Sequence, residues 1–477
     1  MVRQPRPDRQ GAPAGKVGPK GPYVQIHVVT CRDHSAERGR QPMNEAIETS
    51  LRVAAQPRPE PQALELAQLH PVHGEHSLLQ LPALIGRGPS CTVVLDHASV
   101  SREHARIERT ERGLQLWDLG SKNRCYVNRR AVDRGRSAPL ELGDILRIGE
   151  LVLRLVSRGQ DASSARILAA DSALVGGPSL TGVRRLVRLL GPADLAVLIT
   201  GESGTGKELV ARELHRFSGR QGPFIAVNCA ALPEALVESE LFGHLRGAFT
   251  GAARDKPGLF HAASGGTLFL DEVSELPPAS QAKLLRTVET GELRRVGAVH
   301  AERVDCRILC ATNHDLPRDI EAGRFRADLA ARLSEAEVRL PPLRERVEDL
   351  PLLSRFLLGR AGARVELSTE AAEALACYGW PLNVRELDNV LRMLAVVAEG
   401  NTVELAQLPV QLLAGGVASV GRRASSKEEW VLAALRENGG NVRKTSQELG
   451  VSRSFVYRCL DKSGVAPGCL RPGTGRA

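Results

Sequence analysis

The 477-residue sequence has no apolar run approaching the roughly 18 residues that a helix needs to cross a bilayer. Its charged N-terminus has no apolar stretch behind it, so we expect no secretory signal. Its nine cysteines are scattered without the spacing of metal ligands. These absences argue against a membrane protein, a disulfide scaffold and a zinc module, and they favour a cytoplasmic protein with reduced thiols and no membrane partner.

The length of the chain predicts about three or four domains, and no internal repeat is present. Short β-type runs between turn clusters predict a small all-β sandwich over residues 62–158. Alternating strands and helices predict an α/β nucleotide-binding domain over residues 174–408, with a helical lid from about residue 341. Three predicted helices over residues 426–468 indicate an all-α C-terminal domain. The fold class is therefore multidomain.

The segments between these domains are polar or rich in small residues. Residues 1–61 contain much Pro, Gly, Arg and Gln with little apolar periodicity, so we expect disorder there. We expect linkers at 159–173 and 409–425 and a disordered tail at 469–477. The net charge is +9, and from Val420 onward eleven Arg and Lys face five Asp and Glu. A basic C-terminal segment is weak evidence for a nucleic-acid partner when taken alone.

A glycine-rich loop, GESGTGKE, stands between the apolar run LAVLIT and a predicted helix. This strand–loop–helix context is the one that a phosphate-binding loop requires. Its glycines let backbone N–H groups converge on phosphate oxygens at a helix N-terminus, and its lysine supplies a point charge to the β- and γ-phosphates. We therefore predict that ATP binds through Gly201, Glu202, Ser203, Gly204, Thr205, Gly206, Lys207 and Glu208.

A second apolar run, in GGTLFLDEVSELP, ends in the acidic pair Asp271-Glu272. Doubly wound sheets hold their ligands at the carboxyl ends of strands. Asp271 is predicted to hold Mg²⁺, directly or through water, and Glu272 to position the attacking water. Two acids at the end of a strand can also serve only as a helix N-cap, so this assignment depends on the upstream lysine loop. Both are present in the required order, which predicts an ATPase.

Between the loop and the acidic pair lies the run ESELFGHLRGAFTGAARDKPGLF. Glycines on both sides of Phe249-Thr250 allow a mobile loop, and an aromatic at its tip suits contact with a partner. In this setting the loop resembles the signature of bacterial sigma-54-dependent activators, the AAA+ ATPases also called enhancer-binding proteins. The resemblance extends over essentially all of residues 174–408. It implies contact with sigma-54 through Gly247, Ala248, Phe249, Thr250, Gly251 and Ala252.

The resemblance assigns further roles residue by residue. Asn228 resembles the residue that restrains the catalytic glutamate, and Asn313 resembles the first sensor of the γ-phosphate. Arg326 and Arg332 resemble trans-acting arginine fingers, which neutralise charge on the transferred phosphoryl group. Arg385 resembles the second sensor, on the lid.

Two positions depart from common patterns. Glu208 stands where most phosphate-binding loops have a magnesium-binding Ser or Thr, and the sigma-54 activators commonly have Glu there. Leu382 replaces the usual glycine of the second-sensor motif WPLNVRE.

The C-terminal helices resemble a Fis-type helix-turn-helix, in KEEWVLAALRENGGNVRKTSQELGVSRSFVYRCLDKSGV. The exposed candidates of its recognition helix, placed for phosphates and base edges in a major groove, are Arg453, Ser454, Tyr457 and Arg458. Leu435 and Val456 are among the positions expected in its core. A plain helical packing module remains the alternative.

The N-terminal sandwich resembles a forkhead-associated (FHA) domain, through Gly86-Arg87, SREHARI and DLGSKNRCYVN. The resemblance implies phosphothreonine binding, with Arg87 and Ser101 on the phosphate and Asn123 on the peptide backbone. Lys122 replaces the usual Thr or Ser and could serve the phosphate as a cation. His104 is expected to be buried and to brace the loop, and Arg124 replaces the usual glycine. The alternative is a sandwich that only packs against the ATPase.

The resemblance as a whole implies an ATP- and Mg²⁺-dependent activator of sigma-54 promoters. Its partners would be sigma-54 RNA polymerase holoenzyme, upstream enhancer DNA, and a phosphothreonine on another protein or on this chain. It would form a dimer on DNA and a hexameric ring when active. No receiver domain precedes the ATPase, which points to control by a Ser/Thr kinase. Two alternatives are a DNA-binding regulator with a static ATPase platform, which would not need Lys207 or Glu272, and a phosphopeptide scaffold, which leaves the GAFTGA loop unexplained.

Overall fold

The computed structural model describes most of the chain from residue 64 to residue 414. The described residues are 64–71, 76–157, 173–363, 365–398 and 402–414, with Leu435, Asn441, Val442, Thr445 and Val456. Two compact units are distinguished. The first contains residues 186–200 and 210–339, and the second contains the described residues of 53–185, 201–209 and 340–477. No helix among the described residues is long and apolar enough to span a membrane.

Eleven strands form the predicted N-terminal sandwich. They are β1 (Leu64–His70), β2 (His76–Leu79), β3 (Ala83–Gly86), β4 (Val93–Val94), β5 (Ala105–Thr110), β6 (Gly113–Asp118), β7 (Cys125–Val127), β8 (Arg130–Val132), β9 (Ser137–Leu140), β10 (Ile145–Ile148) and β11 (Leu151–Ser157). One sheet has the order β2-β1-β11-β10-β7-β8 and the other β4-β3-β5-β6-β9. Ile85, Ile107, Leu116 and Leu146 are fully buried in the core of the sandwich.

The α/β part follows in chain order between residues 181 and 339. Its elements are α1 (Thr181–Leu190), β12 (Val197–Thr200), α2 (Lys207–Ser218), β13 (Phe224–Asn228), α3 (Glu234–Phe242), β14 (Gly243–His244), β15 (Lys256–Pro257), α4 (Leu259–Ala262), β16 (Thr267–Asp271), α5 (Pro278–Thr290), β17 (Glu292–Leu293), β18 (Glu302–Arg303), β19 (Arg307–Thr312), α6 (Leu316–Glu321), α7 (Ala327–Leu333) and β20 (Ala336–Arg339).

Five of these strands form a parallel sheet with the order β13-β16-β19-β12-β20. The central strands β16 and β19 are buried almost throughout, as expected for a parallel sheet between layers of helices. Parallel strands have their carboxyl ends at one edge of the sheet. Asp271 ends β16 at this edge, and Asn228 ends the neighbouring β13.

The lid belongs to the same compact unit as the sandwich. After two 3₁₀ turns at Leu343–Glu345 and Val347–Asp349, its elements are α8 (Leu350–Arg360), β21 (Glu366–Leu367), α9 (Thr369–Cys377), α10 (Asn383–Val397), β22 (Thr402–Val403) and α11 (Val410–Ala414). Trp380, Leu387 and Leu391 lie in its buried core.

The predicted linker at residues 409–425 is wrong at its start. Val410–Ala414 form α11, and Leu412 is fully buried in the core of the lid. The physical reason is that the run PVQLLA supplies apolar side chains that the lid can bury. The Gly/Ala/Ser composition that suggested a linker begins only after this helix.

Few residues of the C-terminal domain are described. Leu435, Thr445 and Val456 are helical and buried, which agrees with the expected core positions Leu435 and Val456. The predicted DNA-contacting residues Arg453, Ser454, Tyr457 and Arg458 lie outside the described residues.

Candidate active site

The predicted phosphate-binding loop, residues 201–208, follows β12 and leads into α2. Gly204 and Gly206 have φ values of +78° and +105°, which side-chain-bearing residues rarely adopt. Lys207 is buried, and its Nζ donates a hydrogen bond to the carbonyl oxygen of Gly201 at 3.0 Å. The loop therefore has the backbone conformations that its glycines predicted, with the lysine held over it.

The second-sensor segment of the lid lies directly on this loop. Arg385 Nη1 donates to Ser203 Oγ at 3.1 Å, and Asn383 Nδ2 donates to the Ser203 carbonyl oxygen at 2.9 Å. A Cβ on Gly204 would lie only 2.1 Å from the carbonyl oxygen of Leu382. Glycine at position 204 is thus required by the close approach of the lid as well as by its φ. The structure brings Arg385 to the predicted phosphate-binding residues.

The absence of glycine at position 382 has a simple explanation. Leu382 has φ −107° and ψ 17°, which an L-residue can adopt, whereas Trp380 and Asn383 take the left-handed conformation, with φ values of 48° and 54°. Asn tolerates that conformation better than most residues. The Asn383 Oδ1 also accepts a hydrogen bond from the backbone N–H of Leu343 at 2.7 Å. The turn before α10 is therefore made by Asn383 and does not need glycine at 382.

Two arginines after β20 also hold the phosphate-binding loop. The Arg344 guanidinium forms a two-point ion pair with Glu202, with N–O distances of 2.6 and 2.8 Å, and it lowers the pKa of that carboxyl. Arg346 is buried and donates to the carbonyl oxygen of Thr205 at 3.1 Å. Sequence reasoning missed Arg344, Arg346 and Asn383. The available signal was the dense charge of LRERVED, which is separated from the end of β20 by three residues.

The acidic pair lies at the carboxyl end of β16. Glu272 has φ 53°, a left-handed conformation that is costly outside glycine and that often marks functional sites. Its Oε2 accepts a hydrogen bond from the backbone N–H of Asn313 at 3.2 Å. The structure therefore brings together the predicted catalytic glutamate and the predicted first sensor.

Asn228 lies beside this pair on the neighbouring strand. Its Cα is the register partner of Asp271, and its Oδ1 accepts from the N–H of Ala230 at 2.9 Å, capping a 3₁₀ turn. In that turn, burial and then the charges of Asp271 and Glu272 raise the pKa of the Cys229 thiol to about 12. Cys229 is therefore an inert thiol beside the acidic pair.

The acidic pair fits the chemistry of Mg²⁺. This ion keeps several waters and is usually held by one or two carboxylates together with substrate phosphates. Among the residues that the structure describes, no group of three or more His, Cys, Asp or Glu side chains is placed to hold a metal ion without other ligands. Asp271, at the carboxyl edge of a parallel sheet, is a suitable carboxylate for an ion bound in this way.

The two predicted arginine fingers lie on the surface around α7. Arg326 precedes the helix and pairs with Asp328 at 2.7 Å, and Arg332 Nε lies 3.5 Å from a carboxylate oxygen of Glu289. Both arginine side chains are nearly half exposed, at 48% and 42%. Their exposure is compatible with a role toward a neighbouring molecule.

The GAFTGA loop projects from the two-stranded sheet of β14 and β15. Gly247 and Gly251 have φ values of 78° and 104°. The Gly247 N–H donates to the Ala252 carbonyl oxygen at 2.9 Å and closes the loop at its base. Phe249, 38% exposed, stands edge-on against the His244 ring at a centroid distance of 4.9 Å. The loop thus carries a half-exposed phenylalanine whose ring contacts His244.

The predicted phosphothreonine residues lie on loops at one end of the sandwich. The backbone N–H of Arg87 donates to the Ser101 carbonyl oxygen at 2.9 Å, and the N–H of Lys122 donates to Ser101 Oγ at 3.2 Å. Asn123 Nδ2 donates to the Ser99 carbonyl oxygen at 2.7 Å. The structure therefore brings the loops carrying Arg87, Ser101, Lys122 and Asn123 together.

His104 braces these loops from inside, as expected. It is fully buried; its Nδ1 accepts from the Ser101 N–H at 3.0 Å, and its Nε2 lies 3.2 Å from the Arg124 carbonyl oxygen. Burial lowers the pKa of His104, which favours the neutral ring with its proton on Nε2. Arg124 has φ 60°, so this position takes the conformation that glycine usually provides.

Three family models match the chain. They are the FHA domain over residues 83–149, the sigma-54 interaction domain over residues 175–339 and the AAA+ ATPase lid domain over residues 344–424. The predicted sandwich, ATPase domain and lid are therefore confirmed as domain types.

The chain is also similar to named regulators. It is 42% identical over 308 residues to the transcriptional regulatory protein ZraR of Klebsiella oxytoca, covering 62% of this chain and 70% of ZraR. It is 42% identical over 346 residues to the response regulator protein PilR of Pseudomonas aeruginosa, covering 69% of this chain and 76% of PilR. A solved structure of NtrX from Brucella abortus in complex with ATP is 33% identical, covers 62% of this chain and 70% of NtrX, and has a TM-score of 0.47.

These domains define an AAA+ regulator with an FHA domain. The chain belongs to the family of sigma-54-dependent transcriptional activators.

Proposed function

We propose that this protein is an ATP-hydrolysing activator of transcription from sigma-54 promoters. The observation that carries the proposal is the projecting GAFTGA loop with its half-exposed Phe249, in a chain that also has the phosphate-binding loop and the acidic pair. A loop closed by glycines and tipped with an aromatic suits contact with a protein partner. Its partner would be the sigma-54 RNA polymerase holoenzyme.

The nucleotide chemistry is divided among residues of this chain. Lys207 and the N–H groups of the phosphate-binding loop bind the phosphates of ATP. Glu272 orients the attacking water, and the N–H of Asn313 holds its carboxylate in place. Arg385 reaches the nucleotide from the lid beside Ser203. Asp271 holds Mg²⁺, which supplies neutralising charge at the phosphates when bound.

Hydrolysis requires a neighbouring subunit in this proposal. The exposed Arg326 and Arg332 neutralise charge on the phosphoryl group bound by the next molecule. A closed ring supplies every nucleotide with such arginines, and we propose a hexamer for the active state. Asn228 relays the state of the acidic pair, since β13 and β16 are adjacent strands.

The regulatory input is proposed to enter through the FHA domain. Arg87, Ser101 and Lys122 bind the phosphate of a phosphothreonine, and Asn123 binds the peptide backbone. Support comes from the hydrogen bonds that hold these loops together and from the buried His104 beneath them. The peptide comes from another protein or from this chain.

The C-terminal domain is proposed to bind enhancer DNA as a dimer in the cytoplasm. Arg453, Ser454, Tyr457 and Arg458 would contact phosphates and base edges, so binding should weaken steeply with salt. A truncation after Ala418 should lose specific binding while its ATPase domain remains intact. Specific binding that persists in this truncation would refute the assignment.

One set of variants tests the function as a whole. The purified protein should hydrolyse ATP with Mg²⁺ and form open complexes at a sigma-54 promoter. Lys207→Ala should lose nucleotide binding, whereas Glu272→Ala should bind ATP without hydrolysing it. A wild-type protein without hydrolysis would favour the static platform, and hydrolysis without any sigma-54 activity would favour the FHA-centred scaffold.

A further inference from the structure

The FHA sandwich packs against the lid, and the two domains share buried apolar residues. Its Leu69, Ile145 and Val152 belong to the same buried cluster as Trp380 and the other core residues of the lid. Strand β11 is buried on both faces from Leu151 to Leu155, which a sandwich strand facing solvent would not be. The two domains therefore share one apolar core.

Arg154 is a buried cation in this contact. It lies on β11 between Leu153 and Leu155, which belong to the core of the sandwich, so its side chain leaves from the opposite face. It is only 5% exposed, and its Nη1 forms an ion pair with the carboxylate of Glu348. A buried guanidinium is costly unless it is paired, so Arg154 fixes the segment that it touches.

That segment is the one that holds the phosphate-binding loop. Arg154 donates to the carbonyl oxygens of Arg344 and Glu345, both at 3.4 Å. The side chain of the same Arg344 pairs with Glu202, and the backbone N–H of Leu343 donates to Asn383, whose Nδ2 reaches Ser203. Arg154 thus binds the backbone of residues 344–345, and the Arg344 side chain in turn binds Glu202 of the phosphate-binding loop.

We propose that Arg154 is a positioning residue for ATP, through which the FHA domain sets the nucleotide affinity of the phosphate-binding loop. The inference rests on the proposed ATPase function. Loss of Arg154 releases the backbone at Arg344, so the ion pair with Glu202 loses its fixed geometry. Arg154 contacts the segment that holds the phosphate-binding loop, so we expect the effect on nucleotide binding rather than on the chemical step.

The test compares Arg154→Met with Arg106→Met in the full-length protein. Arg106 lies on β5 of the same sandwich, has a 45% exposed side chain and pairs with Glu108 on its own strand. Arg154→Met should weaken binding of a fluorescent ADP analogue and raise the KM for ATP by about tenfold, with kcat within about twofold. Arg106→Met should change neither, and Arg154→Lys should restore part of the affinity.

A double-mutant cycle tests the route. If Arg154 acts through Arg344, the effect of Arg154→Met on KM should largely disappear in an Arg344→Met background. Additive effects, or unchanged nucleotide affinity in a folded Arg154→Met protein, would overturn the inference. If Arg154→Met does not fold, Glu348→Gln and Arg154→Lys replace it in the test. Each of them should raise the KM for ATP without lowering kcat. A wild-type protein that neither binds nor hydrolyses ATP would instead sink the proposed function.

Discussion

Glu373 of the lid and Arg147 of the FHA sandwich form a buried ion pair, with 2.8 Å between Arg147 Nε and Glu373 Oε2. The other carboxylate oxygen of Glu373 accepts a hydrogen bond from the backbone N–H of Arg129 at 3.0 Å. Burial raises the pKa of Glu373, and the charge of Arg147 opposes this shift. The same Arg147 pairs through Nη1 with Glu370 at 2.8 Å. One arginine therefore holds two lid carboxylates that differ in burial.

This difference makes Glu370 a matched control for Glu373. The Glu373 side chain is 3% exposed and that of Glu370 is 49% exposed. Glu373→Ala leaves the partly buried Arg147 without its buried partner and should lower the free energy of unfolding by roughly 3 kcal/mol, since Arg147 keeps its pair with Glu370. Glu370→Ala removes an exposed pair and should cost at most about 1 kcal/mol. Urea unfolding followed by tryptophan fluorescence measures both, and equal losses would contradict this account.

Local motifs made most of the site predictable. The phosphate-binding loop, the acidic pair and the FHA loops are each carried by residues close together in sequence, so their places at strand ends and in loops follow from residue type and spacing. The left-handed Glu272 and Arg124 were not predictable, because neither residue type favours that conformation.

The contacts between distant segments were beyond sequence reasoning. Arg154 lies 194 positions from Glu348, and Glu202 lies 142 positions from Arg344. Each is a single charged residue without a periodic pattern, so nothing in one sequence indicates its partner. The start of the lid's last helix was missed for a related reason, because only the tertiary contact shows that Leu412 is core.

Substitutions in the GAFTGA loop should separate hydrolysis from activation. Thr250→Ala and Phe249→Ala should keep ATP hydrolysis near the wild-type rate, because this loop is predicted to contact sigma-54 and not nucleotide. Open-complex formation at a sigma-54 promoter should be lost. Leu78→Ala removes an apolar side chain of similar exposure, 41%, from β2 and serves as the control. Wild-type transcription by Thr250→Ala would count heavily against the proposed contact.

Arg332→Ala should lose turnover and keep nucleotide binding. Arg332 makes a half-exposed pair with Glu289, so its removal should cost little stability. An arginine finger supplied by a neighbour accounts for about 10³-fold or more in kcat, and a loss of this size is expected. Arg318→Ala removes an 81% exposed arginine of α6 and should leave kcat unchanged.

The same assay tests the ring. Hydrolysis per subunit by the wild type should rise with protein concentration, because each site needs a neighbour. If Arg332→Ala had the kcat of the wild type and hydrolysis per subunit did not depend on protein concentration, an active site formed by two subunits would be excluded.

Asp349 should make the stability of the lid depend on pH between about 4 and 6. Its side chain is fully buried; Oδ1 accepts from the Gly177 N–H at 2.7 Å, and Oδ2 lies 3.7 Å from Arg346 Nη1. Burial raises its pKa from 3.8 to about 6 in spite of Arg346. Between these values the folded state keeps a proton that the unfolded state releases. The resulting stabilisation is present below pH 4 and is lost as the pH rises through 6.

Asp349→Asn removes this titration and isolates its contribution. The free energy of unfolding of the wild type minus that of Asp349→Asn should fall by roughly 1 kcal/mol from pH 5 to pH 7, since one pKa unit corresponds to about 1.4 kcal/mol. Urea unfolding at pH 5, 6 and 7 measures this difference, and Asp133→Asn, at an exposed site, is measured in parallel. A difference that stays constant or grows with pH would mean that Asp349 is charged throughout, with Arg346 outweighing its burial.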